Sequence, residues 1–272
     1  MRIRGSTAIV TGASSGIGRA IALELASRGA TVALAARRRG RLEEVAREIG
    51  SRFPDAPSPS SVVCDVTDRR QVEALVGSTV ERHGDIDVLV NNAGVSVFGD
   101  TLLGGIEDYE RTMAVNFLGA VHCIEETLPF MLRRESGHIV NISSVAGLHG
   151  VPYLAAYSAS KAALGSYSET LRSELADRGV RVMVVYPGYT DTEIFDVERQ
   201  IGGARRPAGT YTPPDVVARA VARGLKRDAR EVYLTLRGRA LSVLRGLAPG
   251  IVDRAMLGIA RELSDDTVQG DE

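Results

Sequence analysis

The chain has 272 residues, 44% of them hydrophobic and 25% charged, with a formal net charge of −1. That length and composition suit a globular protein able to bury a large core, and the near-neutral charge argues against a general nucleic-acid binder, which needs a basic excess. Its two cysteines and four scattered histidines offer neither a disulfide framework nor metal-ligand spacing, and no stretch approaches the ~18 uncharged apolar residues of a membrane span.

Met1–Ser6 lacks the pattern of a secretory leader, so a soluble cytoplasmic protein is expected. From there, apolar runs of strand length alternate with longer helical patterns. Strands are predicted at Thr7–Val10, Thr31–Ala35, Val62–Cys64, Val88–Val90, His138–Ile142, Val180–Val185 and Val232–Leu234. Helices are predicted between them at Ile17–Ser27, Arg41–Ile49, Gln71–Arg82, Tyr109–Leu132 and Ala155–Asp177, with Gly29, Gly84 and Gly179 as helix stops. The pattern implies an α/β fold: a Rossmann-type doubly wound parallel sheet of about seven strands with helices on both faces. One domain over residues 1–272 is expected.

Ser51–Ser61 and Asp196–Pro214 are predicted loops, rich in Pro, Ser and Gly. The second belongs to a stretch near 190–214 that is either a lid over a substrate or a plain surface loop. The segment near 238–262 repeats apolar residues at helical spacing on both sides of Pro249-Gly250: Ala240, Val243, Leu244 and Leu247, then Ile251, Val252, Ala255, Met256 and Ile259. It is expected to cover the substrate pocket and a subunit interface and to be mostly buried, with a role as an amphipathic membrane-surface element as the alternative. Ser264–Glu272 is a polar, acidic tail.

The first strand runs into Gly12-Ala13-Ser14-Ser15-Gly16-Ile17-Gly18 and then a helix. A sharp turn, close backbone approach and free N–H groups at a helix start suit a dinucleotide pyrophosphate. Asn91-Asn92-Ala93-Gly94 follows the fourth strand, Ser143-Ser144 the fifth and Pro187-Gly188 the sixth, while Tyr157-Ser158-Ala159-Ser160-Lys161 opens a helix. Together, over about Thr7–Thr192, this set resembles the classical short-chain dehydrogenase/reductase family. Tyr157 and Lys161 share one helix face, and a nearby ammonium would bring a phenol of pKa ~10 towards the working range.

The resemblance implies Tyr157 as catalytic acid/base, Lys161 as its partner and nicotinamide-ribose ligand, Ser144 as the hydroxyl facing the substrate oxygen, and Asn116 as the holder of a relay water. It further implies cofactor contacts from Gly12, Ser14, Ser15, Gly16, Ile17 and Gly18, from Asn92, Ala93 and Gly94, and from Pro187, Gly188, Thr190 and Thr192. Asp65 and Val66 would lie at the adenine, with a turn or N-cap as the competing role for Asp65.

An NAD site places a carboxylate about 20 positions past the glycine loop; here the second strand runs into Arg37-Arg38-Arg39. NADP(H) is therefore expected over NAD(H), with Arg37 at the 2′-phosphate and Arg38 beside it; a solvated basic helix start is the alternative. The expected activity is interconversion of a ketone or aldehyde and an alcohol. A non-catalytic nucleotide-sensing module and an isomerase or dehydratase are the competing functions. Val95, Val97, Phe98, Leu148, Val151, Leu154, Tyr189 and Phe195 point to an apolar substrate. The resemblance also implies a homo-oligomer, dimer or tetramer, while charge, residue spacing and hydropathy lead to the expectation of no nucleic-acid partner, no metal and no membrane association.

Overall fold

The structure, a computed structural model, describes residues 1–195, 199–205 and 211–264. Among them the strands are β1 (Thr7–Thr11), β2 (Thr31–Ala36), β3 (Ser60–Val63), β4 (Val88–Asn91), β5 (Val97–Gly99), β6 (Gly137–Ile142), β7 (Val180–Tyr186), β8 (Arg199–Ile201) and β9 (Glu231–Tyr233). The helices are α1 (Gly16–Ser27), α2 (Arg39–Arg52), α3 (Arg69–His83), α4 (Ile106–Met113), α5 (Gly119–Arg133), α6 (Val145–Leu148), α7 (Ala155–Glu174), α8 (Pro214–Lys226), α9 (Leu236–Leu247) and α10 (Pro249–Leu263).

Seven strands form one parallel sheet in the order β3-β2-β1-β4-β6-β7-β9. Alternation along β1 shows why both faces are apolar: Ala8 and Val10 join Ile21, Leu25, Leu42 and Val221, carried by α1, α2 and α8. Ile9 points the other way, to Val72, Leu75, Ile124 and Leu171 on α3, α5 and α7. Each large side chain fully buried there contributes about 1.5–3 kcal/mol. The sheet and its two helical layers form the Rossmann-like architecture expected from the alternating pattern.

Sheet pairing overrides local composition at the edges. The predicted strand Val62–Cys64 starts earlier, at Ser60, because Ser60 and Ser61 pair with Ala33 and Leu34; Cys64 continues only as an N–H bonded to the Ala36 carbonyl. The predicted loop Ser51–Ser61 thereby loses its last two residues to β3 and its first two to α2. The predicted helix Tyr109–Leu132 is divided: between α4 and α5 lies a π-turn over Ala114–Leu118, with the Gly119 N–H reaching back to the Ala114 carbonyl. The chain also forms a small parallel pair, β5 with β8, that its three-residue strands did not announce.

Of the stretch near 190–214, residues 196–198 and 206–210 lie outside the described residues, as do 265–272 of the acidic tail. The C-terminal apolar pattern forms two helices, α9 and α10. Ile259 and Leu263 pack against the cluster of Phe98, Leu154 and Tyr157, and Tyr153 Oη donates to the Ala260 carbonyl at 3.3 Å. The expectation of a mostly buried segment is not met within one chain: Val243, Leu244, Leu247, Ile251 and Leu257 are exposed. None of the helices among the described residues is long and apolar enough to cross a membrane.

The alignment of β6 and β7, whose ends carry much of the site described below, depends on one close approach. Gly179 precedes β7 at φ +71°, and a Cβ there would overlap the Glu135 carbonyl in the turn that leads into β6. Gly179→Ala is expected to cost at least the ~1–2 kcal/mol of a left-handed alanine. Urea denaturation measures it, and wild-type stability in the variant would show that the two turns are not locked together.

Candidate active site

At the carboxyl ends of the strands the sheet divides, since the chain continues outward from β1 to β2 and β3 on one side and from β4 to β6 and β7 on the other. This reversal opens a crevice. Thr11 and Asn92 fasten its floor. Thr11 Oγ1 donates to the Val90 carbonyl and accepts from the N–H groups of Asn92 and Ala93 at 3.0 and 3.1 Å. The Asn92 amide donates to the Thr11 and Gly12 carbonyls.

The glycine turn sits directly above this node. A Cβ on Gly12, at φ +65°, would stand 2.8 Å from the Asn92 amide, and one on Gly18 would overlap the Gly12 carbonyl. Gly12 therefore keeps the turn against the crevice floor, and Gly18 lets α1 start against it. The N-terminus of α1 has neither a side-chain cap nor an acidic residue in its first turn. Its free N–H groups and dipole suit an anion such as a pyrophosphate.

Beyond the turn lies a basic corner. Arg38 Nη2 donates to Ser15 Oγ at 2.9 Å and to Ser14 Oγ at 3.2 Å, while its Nη1 donates to Glu193 at 2.9 Å. Arg37 projects differently: its side chain is largely exposed and its Nη1 lies 3.9 Å from Asp65. Asp65 is engaged in a turn, accepting from both the N–H and the hydroxyl of Thr67, so its competing structural role is realised while it also lines the cleft.

The opposite half holds the hydroxyl groups. Tyr157 and Lys161 lie one turn apart near the start of α7, with Lys161 Nζ 5.7 Å from the centre of the Tyr157 ring. Lys161 is buried, donates to the Ile142 carbonyl at 2.8 Å, and has its ammonium pushed down to about 8 by that burial. Ser144 caps α6, its Oγ accepting from the Ala146 N–H. Ser143 also lines the cleft but gives its hydroxyl hydrogen to the Lys161 carbonyl, whereas the Ser144 hydroxyl serves only as an acceptor in the cap of α6.

Asn116 sits behind the wall. The π-turn aims its side chain at the segment between β4 and β5, where Oδ1 accepts from Val95 N–H at 2.8 Å. Its Nδ2 donates to the Val95 carbonyl and to Ser160 Oγ. A further polar chain, unannounced by any motif, runs through the sheet: Asn91 donates to Asn141, which donates to Ser168 on α7. It joins β4 and β6 to the helix bearing Tyr157 and Lys161, so the alignment of that pair is not left to apolar contact alone.

Of the nineteen different cofactor and catalytic positions other than Gly18 and Asn116 singled out in the sequence, all line one cleft of about 340 Å³, namely Gly12, Ser14, Ser15, Gly16, Ile17, Arg37, Arg38, Asp65, Val66, Asn92, Ala93, Gly94, Ser144, Tyr157, Lys161, Pro187, Gly188, Thr190 and Thr192. Val95, Phe98, Val151, Leu154 and Tyr189 join them as apolar wall, whereas Val97 and Leu148 do not, and the Phe195 side chain lies outside the described residues. Arg111, Glu193 and Tyr211 also line the cleft. Glu193 and Tyr211 belong to the stretch near 190–214 marked as a possible lid, though nothing singled them out within it, and Arg111 carries no local signal, because helix α4 reaches the cleft only in three dimensions. Among the described residues there is no group of three or more potential metal ligands.

The short chain dehydrogenase family profile matches residues 6–201. The chain is 36% identical over 227 residues to the 3-oxoacyl-[acyl-carrier-protein] reductase FabG of Thermotoga maritima, covering 81% of this chain and 90% of that protein. Its fold superposes on a short-chain dehydrogenase/reductase of Burkholderia phymatum in complex with NAD (TM-score 0.83, 28% identity, 92% of this chain and 96% of that one). It also superposes on a short-chain dehydrogenase of Burkholderia cenocepacia in complex with NADP (TM-score 0.80, 28% identity, 94% and 99%). The fold and the cleft define a dinucleotide-binding oxidoreductase. The chain belongs to the short-chain dehydrogenase/reductase family.

Burial of Lys161 has a thermodynamic signature. Its folded pKa of about 8 lies below the ordinary 10.5, so between these values the unfolded chain holds the extra proton and stability from this group rises with pH. Relative to Lys161→Met, the wild type is expected to gain stability from pH 8 to 10.5, by up to roughly 3 kcal/mol. Chemical denaturation of both proteins across that range measures the difference. A constant difference would mean that Lys161 is not buried as an ammonium.

Proposed function

We propose that the chain is an NADP(H)-dependent oxidoreductase that interconverts a ketone or aldehyde and an alcohol. The observation that carries this reading is the convergence of Tyr157, Lys161 and Ser144 on the same cleft as the uncapped start of α1 and the basic corner at Arg38. The cofactor, when bound, supplies or accepts the hydride at the substrate carbon.

The chain's own residues do the rest. Tyr157 gives its phenolic proton to the carbonyl oxygen during reduction and takes it back during oxidation. Ser144 donates a hydrogen bond to the same oxygen as negative charge develops on it. The Lys161 ammonium favours the phenolate of Tyr157 and offers its remaining donors to a ribose hydroxyl, its Nζ being fixed by the Ile142 carbonyl. Asn116 holds Val95 and Ser160 in place and, in this reading, supports the water through which Tyr157 is recharged. Thr192 lies beside Gly16 and takes the nicotinamide carboxamide.

For the 2′-phosphate, Arg38 has the stronger claim than Arg37, since it already bonds Ser14 and Ser15 at the glycine turn while Arg37 leans towards Asp65. The absence of an acidic residue in the first turn of α2 supports the same preference over NAD(H). Phe98, Val151, Leu154 and Tyr211 in the wall favour an apolar substrate. A homo-oligomer belongs to this reading, supported by the exposed Leu247, Ile251 and Leu257; so does a cytoplasmic location, supported by two buried free thiols.

Tyr157→Phe keeps the ring and removes the proton, so turnover of an established carbonyl substrate is expected to fall by at least ~10²–10⁴-fold with NADPH binding retained. Stopped-flow consumption of NADPH measures it, and near-full turnover would remove Tyr157 from the chemistry. Arg38→Ala is expected to weaken NADPH by roughly ten- to a hundredfold and NADH little, from the ~1.5–3 kcal/mol of a charge-assisted bond. Titration by fluorescence transfer distinguishes the two, and a wild-type preference for NADH would overturn the cofactor assignment.

A further inference from the structure

Glu193 belongs to none of the motifs in the sequence, yet it reaches the most basic corner of the cleft. It opens a short 3-10 turn, Glu193–Phe195, immediately after Thr192, whose side chain packs on Gly16. Its Oε2 accepts from Arg38 at 2.9 Å, and its Oε1 lies 3.9 Å from Arg41. Arg41 also pairs with Glu44 at 3.2 Å, and Arg38 keeps its second nitrogen for Ser14 and Ser15. The hydrogen bond from Arg38 and the charges of both arginines hold the Glu193 carboxyl below its ordinary range.

A carboxylate and a phosphate monoester ask the same thing of a guanidinium: two in-plane oxygens accepting from its fork. Glu193 takes Arg38 Nη1 with one oxygen, so a phosphate that engages the fork of this guanidinium competes with it for that donor and is repelled by its charge. We propose that Glu193 is an internal occupant of the 2′-phosphate site, which that phosphate must displace, so that a single ion-pair exchange couples cofactor choice to the chain segment following β7. This rests on the NADP(H) reading above and adds to it a residue that sets specificity. The Glu193 and Arg38 side chains are both partly exposed, which makes the internal pair weak. A dianionic phosphate, reaching Arg38 beside the uncapped start of α2, replaces it with stronger bonds. A cofactor without the phosphate leaves the pair in place, and the segment tied to α2.

The test uses adenosine 2′,5′-bisphosphate and adenosine 5′-monophosphate, which differ only in the 2′-phosphate and bring no nicotinamide. Calorimetric titration of the full chain and of Glu193→Gln is expected to show the bisphosphate binding roughly two- to tenfold more tightly to the variant, with the monophosphate unchanged. Hydrogen exchange over residues 188–195 is expected to rise in the wild type when the bisphosphate is added, and to be raised already in the variant. If wild type and variant prefer the bisphosphate by the same factor, the exchange proposal falls while the NADP(H) reading stands. If neither protein prefers it over the monophosphate, the NADP(H) reading falls and takes the exchange with it.

Discussion

The cleft depends on a topological constraint: β1 and β4 are hydrogen-bonded neighbours, yet the connections that leave them run to opposite sides of the sheet. Nothing can pack between the two departing segments, so a crevice opens above them. Thr11 and Asn92 satisfy the backbone groups that this divergence exposes, and Gly12 and Gly18 bring the turn and α1 down onto that node. The uncapped start of α1 and the floor of the cleft are thus consequences of the same junction. A side chain at either glycine would disturb both.

On the other half, polar groups are buried and their satisfaction fixes geometry. A buried amide or hydroxyl without a partner costs about 1–3 kcal/mol, so the donations from Asn91 to Asn141 and from Asn141 to Ser168 favour this seating of α7 on β6, while Asn91 Oδ1 accepts no bond. Lys161 follows the same logic: its buried ammonium bonds the Ile142 carbonyl, and that bond holds it near the Tyr157 ring. The same burial lowers its proton affinity. Stability is spent where reactivity is needed.

The two halves meet through the chain after β7. Val145 N–H donates to the Pro187 carbonyl, which ties the serine-bearing segment to the start of that stretch. Thr192 then crosses to the glycine turn and Glu193 to Arg38. A segment of seven residues therefore touches the hydroxyl side, the turn and the basic corner in succession. α10 closes the far end, with Ile259 and Leu263 behind Phe98 and Leu154.

The sequence by itself determined the alternation of strands and helices and the glycine turn, because each depends on local periodicity or on residues a few positions apart, while Ser144, Tyr157 and Lys161 were marked by resemblance to a family pattern. It also marked Arg37 and Arg38 as basic residues where an NAD site would have an acid. Both line the cleft, but their partners there, Asp65 for Arg37 and Glu193 for Arg38, are remote in the chain and carry no local signal. The π-turn at Asn116, the start of β3 at Ser60 and the exposure of Leu247 and Ile251 were settled likewise by partners far along the chain or by their lack within it. Local pattern sets which conformation a segment favours. Which neighbour satisfies its polar groups, and which face it hides, is a property of the packed whole.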